Sequence, residues 1–399
     1  MAAEHWIWLS EVLNKPSRSI KPLLDKFGSA ENFFDYCKGN DNIIAPLTKR
    51  ELDRVHKITA DNIYHILHRC DELGIEIITY NSPRYPERLK SISNPPAILY
   101  SKGKELDFDG ECLLTVVGPR VASDYGLKAS FSLSRRLAAT GVVIVSGGAV
   151  GVDGMAHRGA VSVYAPTVAV LGCGINYDYP KGNAALRDKI AQSGCLLSEY
   201  PPDFPPSKST YPARNRILSA ISCGTVVIEA GITSGALITA GYAAEQGRDV
   251  FVIPGNPSYP QYEGSNKLLK DGAKPVLTVA DILEEYYPLF TQKIDLSAAA
   301  NIKSGSKDYN EALLEINAAG VKAQPIKDQI SPQQIIKQTD IDLPSDARAV
   351  YESIKTSEFT VDDAVTSSGI DPSTVLSALT ELEIFGLITA LPGGRYKIS

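Results

Sequence analysis

Three glycine-bearing turns carry the residue types best suited to chemistry: Gly118-Pro119-Arg120, Ser146-Gly147-Gly148 and Tyr179-Pro180-Lys181-Gly182-Asn183. Each of the first two follows directly on an apolar run. Glycine there lets the backbone turn sharply and approach a ligand. Helices that begin at such turns aim free N–H groups and a positive dipole end at one place, which suits phosphate. Further cations follow in Lys208 and in Arg214-Asn215-Arg216, and Tyr125, Tyr177, Tyr179, Tyr200 and Tyr211 are interleaved with them. Cations that track a sugar-phosphate backbone, with aromatic faces for unstacked bases, are the requirement of single-strand nucleic-acid binding. A structural role competes for the arginines, since Arg214 and Arg216 can pair with Glu199 and Glu229 to brace a sheet edge. Lys181 and Lys208 have no obvious acidic partner.

Other chemistries fit less well. Gly172-Cys173-Gly174 begins like a dinucleotide fingerprint, and Glu199 stands where a ribose-binding acid would. Tyr177 occupies the third glycine position, however, and residues 178–181 delay the helix that should receive a pyrophosphate. No G-x-x-x-x-G-K-[ST] stretch occurs, so a P-loop is excluded. Ser146, Asp153 and His157 invite a hydrolase triad, but an acid and a histidine four apart on one helix are more simply a capping pair. His65 and His68 share a helix without a third ligand, so no metal site is expected. The six cysteines (37, 70, 112, 173, 195, 223) form no C-x-x-C and sit beside apolar runs, as reduced core thiols do. No catalytic group and no cofactor is expected.

The elements that must position these turns are strands over 113–117, 142–146, 167–171, 195–198, 225–229 and 249–253, with helices between them. Apolar runs without alternation belong to parallel strands covered on both faces. Five successive strand-to-helix units imply a doubly wound α/β sheet with right-handed crossovers, its anion-binding crest at the C-terminal strand ends. Residues 1–74 form a small helical domain of helix-hairpin-helix or SAM type. A Thr48/Glu51 capping box and the helix stop at Gly74 mark its later helices. Residues 75–288 hold the sheet, with the proline-rich 80–96 stretch crossing its edge. Residues 289–343, rich in Ala, Ser, Gln and Lys, read as a linker. Residues 344–399 read as helices followed by a hairpin, a winged-helix pattern, with Asp371 capping a helix that has Pro372 at its first position.

Charge limits the partners. The 399 residues carry a net charge of −6 with 44% hydrophobic content, so any polyanion site must be local. Residues 341–399 hold four Lys/Arg against nine Asp/Glu, and their recognition-helix stretch has no basic residue. This tail is therefore expected to contact protein rather than DNA. No apolar run approaches the length of a bilayer span, and the first ten residues carry acid and tryptophan where a leader would be basic then apolar, so a cytoplasmic chain is expected.

With these motifs in order, the sequence resembles the DprA/Smf family, the DNA-processing proteins of bacterial natural transformation. The shared patterns are Gly-Pro-Arg (118–120) for the family's usual Gly-Ser-Arg, Ser-Gly-Gly-Ala-x-Gly-Val-Asp-x-x-Ala-His (146–157), Leu-Gly-Cys-Gly through Tyr-Pro-Lys-Gly-Asn (171–183), Ser-Glu-Tyr-Pro (198–201), Tyr-Pro-Ala-Arg-Asn-Arg (211–216), Ser-Gly-Ala-Leu-Ile-Thr (234–239) and Gly-Ser-Asn-Lys-Leu-Leu-Lys-Asp-Gly-Ala (264–273). The match is dense over about 80–273. The resemblance implies an extended Rossmann-like domain that binds and protects single-stranded DNA, helps load the RecA recombinase and forms a homodimer, with no established catalytic activity. It places DNA contacts on Arg120, Lys181 and Lys208, to which the strand-end reading adds Ser146, Gly147, Gly148, Asn183, Arg214, Asn215 and Arg216. Pro119 departs from the family pattern by removing one backbone donor, and Gly148 and Val150 alter its glycine loop. The adjacent Leu268 and Leu269 exceed what one core face needs and are expected at the dimer interface. The rival expectation is a nucleotide-processing hydrolase of the same fold using Glu229 or Glu199, although its Pro-Gly-Gly-x-Gly-Thr-x-x-Glu run is missing.

Overall fold

The computed structural model describes the chain except residues 1, 14, 41, 181–182, 302–308, 311–343, 355–357, 385–386, 392–394 and 399. Five helices come first: α1 (Ala2–Val12), α2 (Ile20–Phe27), α3 (Ala30–Lys38), α4 (Lys49–Val55) and α5 (Ala60–Leu73). Thr48 and Glu51 form the expected capping box on α4, and α5 ends at Gly74 in the left-handed conformation that favours glycine. Glu51 is buried and also receives the hydroxyls of Ser17 at 2.5 Å and Ser19 at 2.9 Å, which ties the loop before α2 to α4.

The sheet follows as β1 (Glu76–Thr79), α6 (Glu87–Lys90), β2 (Ile98–Gly103), β3 (Leu113–Val117), α7 (Asp124–Ala139), β4 (Val143–Ser146), α8 (Val152–Val161), β5 (Thr167–Leu171), α9 (Ala184–Ser193), β6 (Cys195–Ser198), α10 (Thr210–Ile221), β7 (Gly224–Val227), α11 (Gly235–Glu245), β8 (Asp249–Val252), α12 (Glu263–Lys270), β9 (Lys274–Pro275), α13 (Ala280–Tyr286) and α14 (Leu296–Asn301). Nine strands run in the order β1-β2-β6-β5-β4-β3-β7-β8-β9. The stretch from β6 to β9 is parallel, as the unbroken apolar runs require, whereas β1 and β2 are antiparallel additions at one edge. The sequence expectation of a doubly wound, Rossmann-like sheet therefore holds, with this mixed edge added. The order reverses between β3 and β7, so their C-terminal ends frame the topological switch point.

Alternate residues of each strand enter opposite layers. Leu114, Val116, Ile144 and Phe251 pack beneath α7, α8 and α13, while Leu113, Val117, Val145 and Val252 pack against α10 and α11. The front helices share their core with the sheet: Trp6, Trp8 and Phe33 lie in one cluster with Ile98, Tyr100, Ala169 and Leu196. Residues 1–325 accordingly form one compact unit. The expected linker starts too early, because Ile294 is buried in the main core and the Asp295 N–H bonds the Thr140 carbonyl at 2.9 Å. Phe290 and Ile294, four residues apart, supply that apolar contact within an otherwise polar stretch.

Residues 326–399 form a second compact unit. Helices α15 (Ser345–Ser353), α16 (Val361–Ser368) and α17 (Pro372–Ile384) pack with β10 (Glu358–Thr360), β11 (Ile388–Leu391) and β12 (Arg395–Ile398), whose antiparallel sheet has the order β10-β12-β11. This is the winged-helix arrangement expected from the sequence.

Glu51→Ala would leave several buried hydroxyls without their acceptor. It is expected to cost about 3 kcal/mol, since hydrogen bonds to a charged group are worth about 1.5–3 kcal/mol each and not all of that is lost on relaxation. A lowered urea midpoint is the readout, and an unchanged midpoint would remove Glu51 from its structural role.

Candidate nucleic-acid interface

The strand ends build the rim in two layers. The inner layer is held by Arg214, which reaches up from α10. Its Nη1 donates to the Gly147 carbonyl at 2.8 Å and also to the Val170 carbonyl, which ties the ends of β4 and β5 together. Gly147 must be glycine, because a Cβ there would collide with the Arg214 guanidinium and the Asp153 carboxylate. Burial lowers the Arg214 pKa, and the Asp153 charge opposes this. Burial likewise pushes the Asp153 carboxyl up, against the pull of Arg214 and of the Ala149 and Gly147 amides. Asn183 clasps the same loop from α9, donating to the Gly148 and Ala149 carbonyls at 3.3 and 3.4 Å. Ser146 donates to the Val116 carbonyl at 2.7 Å. Arg187 holds the tyrosine loop by donating to the carbonyls of Ile175 and Tyr177.

The outer layer faces solvent. Arg120 is exposed, its guanidinium 4.8 Å from the centre of the Tyr211 ring and its Nη1 3.5 Å from the Tyr179 hydroxyl. Tyr179 and Tyr211 lie 5.7 Å apart, centre to centre, so a cation and two aromatic faces are grouped at one spot. Tyr177 is exposed on the same loop. Beside them opens a cleft of about 540 Å³ at the switch point, lined by Arg120, Arg214, Asn215, Thr233, Ser234 and Gly235. The first turn of α11 borders it, with Ser234 as the N-cap. Lys208 is exposed in the loop before α10.

The expected contacts thus divide. Arg120, Lys208 and Asn215 are open to a ligand, and Gly147 and Gly148 form the loop beneath it. Ser146, Asn183 and Arg214 are buried and committed to holding that loop. Lys181 lies outside the described residues. Arg216 has no exposed surface: its Nη2 meets Glu199 at 2.6 Å and its other nitrogens bond the Asn94 and Ala213 carbonyls. As a ligand contact Arg216 is therefore corrected to a brace, the competing role its neighbouring acids had offered. Leu268 and Leu269, expected at a dimer interface, both pack against the core of the sheet and stay half-buried. The cleft walls at Thr233–Gly235 were missed, although the Ser-Gly-Ala-Leu-Ile-Thr pattern runs through them. Only the strand order reveals that they face Arg120.

The acids and the triad candidates are also committed. Glu229 accepts from the Ser123 N–H at 2.8 Å and its hydroxyl at 2.5 Å, and burial pushes its carboxyl up. Ser146 bonds the Val116 carbonyl and reaches the Asp153 carboxylate, Asp153 faces Arg214, and His157 Nδ1 meets Thr167 Oγ1 at 2.8 Å, so the histidine a triad needs is turned to a threonine instead of the serine or the acid. Thr167 already donates to the Ile144 carbonyl, which makes His157 Nδ1 the protonated nitrogen. Burial first, then Arg158 and Arg214, depress the His157 pKa to about 3.

Two outcomes follow. Unfolded, His157 takes a proton near 6.5; folded, only near 3. Stability contributed by the neutral ring is therefore complete above 6.5 and falls as pH drops, by about 1.4 kcal/mol per unit. His157→Gln should flatten the decline of the urea midpoint between pH 6.5 and 5, whereas Asp153 and Glu229, raised by burial, act in the opposite sense, stabilising the fold as pH falls through their raised values. Arg216→Met leaves Glu199 buried without its partner and should cost about 3–5 kcal/mol of stability. Oligonucleotide affinity per folded molecule should stay unchanged, which a titration corrected for the folded fraction would check.

Comparison with known proteins agrees with this architecture. Residues 76–287 match the family model described as DNA recombination-mediator protein A, and residues 337–394 match the DprA winged helix domain. The DNA processing protein DprA of Bacillus subtilis is 38% identical over 245 residues, covering 61% of this chain and 81% of that protein. A putative DNA processing protein DprA of Mycobacterium tuberculosis is 31% identical over 413 residues, covering 99% and 94%. The X-ray structure of DprA from Streptococcus pneumoniae superposes with a TM-score of 0.61 at 31% identity, over 70% of this chain and 97% of that one. A family model spanning more than half of the chain, with relatives aligned over most of their length, places this chain in the DprA/Smf family of DNA-processing proteins.

Proposed function

We propose that the chain binds single-stranded DNA along the C-terminal rim of its sheet and acts in the cytoplasm as a recombination mediator in natural transformation, protecting the strand and passing it to the RecA recombinase. The observation that carries the reading is the exposed Arg120 stacked over Tyr211 and beside Tyr179, at the mouth of the switch-point cleft. A guanidinium and paired aromatic faces serve phosphate and base together without reading sequence. The family description as a recombination mediator supports the later step. A homodimer is part of the proposal, to be weighed by sedimentation equilibrium.

The winged helix is assigned to protein contact. Its α17 carries Glu381 and Glu383 and no basic residue, the wrong charge for a recognition helix. The hydrolase alternative loses ground because Glu199 and Glu229 are engaged by Arg216 and Ser123.

Anisotropy titration of a labelled deoxythymidine oligomer tests the reading. Arg120→Ala should weaken binding about tenfold and lower the slope of log affinity against log salt by about 0.7. Adding Lys181→Ala should weaken it further. Unchanged affinity in the double variant would reject the rim as the binding surface.

A further inference from the structure

At the opposite end of the two switch-point strands lies a feature that DNA binding does not use. Cys112 immediately precedes β3, and Cys223 immediately precedes β7. The two strands pair in parallel, with Leu114 opposite Gly224, and the Cys223 N–H bonds the Leu113 carbonyl at 2.8 Å. Cys112 is fully buried in the core beneath α7 and α8, and Cys223, just before β7, packs against that same core yet is partly open to solvent. Each thiol shifts the titration of the other. By the strand register Cys223 stands opposite Leu113, one residue past Cys112; a strand spacing of about 4.8 Å and a rise of about 3.3 Å put such diagonal neighbours about 5.8 Å apart, inside the Cα window of about 4.4–6.8 Å that a disulfide requires.

Two guanidiniums flank the pair. Arg88 donates to the Glu111 carbonyl next to Cys112 at 3.5 Å. Arg248 donates to the Ala220 carbonyl at 3.5 Å and the Arg88 carbonyl at 3.4 Å, and its buried Nε has no partner among the described residues. A partly exposed sulfur between cations and a second sulfur is the environment of a reactive thiolate.

We propose that Cys112 and Cys223 form a peroxide-responsive thiol pair that closes into a disulfide across the base of β3 and β7. The Cys223 thiolate attacks one oxygen of a hydroperoxide. An S–O bond forms, the O–O bond breaks, and the departing alkoxide or hydroxide leaves as alcohol or water with a proton. The peroxide is reduced and Cys223 becomes a sulfenic acid. Cys112 sulfur then attacks Cys223 Sγ and gives up its proton; the S–S bond forms, the S–O bond breaks, and water leaves. Roles are divided by environment. The neighbouring Cys112 thiol, against burial and with help from Arg88 and Arg248, draws the Cys223 thiol down, whereas the same neighbour and burial push Cys112 up. Burial raises Cys37, Cys70, Cys173 and Cys195 instead. Because β3 and β7 carry Arg120 and Glu229 beyond their far ends, the bond would tie together the two strands that frame the cleft.

The test is limited oxidation of the full chain with hydrogen peroxide, followed by peptide mass mapping without reductant. The expected product is one intramolecular Cys112–Cys223 cross-link, reversed by dithiothreitol. In Cys112→Ser, dimedone should label Cys223 at least about tenfold more than any other cysteine, because its thiolate is the accessible one. Cys223→Ser should abolish both products. Oxidation that falls first on another cysteine, or no Cys112–Cys223 cross-link in the unmodified protein, would overturn the proposal. The mapping of unmodified protein decides it even if a serine variant fails to fold.

Discussion

The rim depends on one buried guanidinium. Parallel strands end in carbonyls, and sharp glycine turns leave several of these pointing toward the place where a polyanion would lie. Arg214 answers two of them, at Gly147 and Val170, from within the fold. It places a positive charge under the glycine loop and fixes the spacing of β4 and β5 in one stroke. Asp153 keeps that charge tolerable in a buried setting, and the absence of a side chain at Gly147 makes their approach sterically feasible. Remove the guanidinium and the loop loses its anchor and its compensation together.

The same division of labour extends along the edge. Arg187 fixes the tyrosine loop through the Ile175 and Tyr177 carbonyls, and Arg216 joins α10 to Glu199 at the end of β6. These three arginines are spent on backbone and acid, so they shape the surface without forming it. Arg120 is different because its neighbours are aromatic rings rather than carbonyls or carboxylates. A guanidinium over a ring keeps donors directed outward, free for phosphate. The planar fork of arginine suits both uses, as a multidentate brace inside and a stacked contact outside.

That distinction explains what was legible in the sequence. Apolar runs closed by glycine disclosed the parallel strands and their loaded ends, because burial on both faces leaves so plain a pattern. The capping box at Thr48 and Glu51 was equally local. Whether an arginine braces or binds was not legible: Arg214 and Arg216 stand two residues apart in a run that looks basic, and only tertiary packing buries them. The antiparallel edge of β1 and β2, the switch point between β3 and β7 and the packing of Leu268 and Leu269 all rest on long-range pairing, which a local pattern does not encode. The early end of the expected linker failed for the opposite reason, two apolar residues hidden in a polar composition.

An acidic chain meeting a polyanion is not a contradiction at this scale. At physiological ionic strength a charge is screened over about 8 Å, so the net −6 says little about the field at any one loop. What a phosphate would meet at the proposed rim is set by the nearest groups there: the Arg120 guanidinium, the amides of the glycine loop, the first turn of α11 and the buried Arg214 below. Burial strengthens the last of these, because the protein around it screens less than water does. Of the acids near the rim, Glu199 is buried with one oxygen on Arg216, and Glu229, in the wall of the cleft, is buried and held by the Ser123 N–H and hydroxyl, so neither stands on the solvent-facing layer with Arg120. The electrostatics of binding are therefore decided by which charges the fold turns inward rather than by how many of each sign the chain contains.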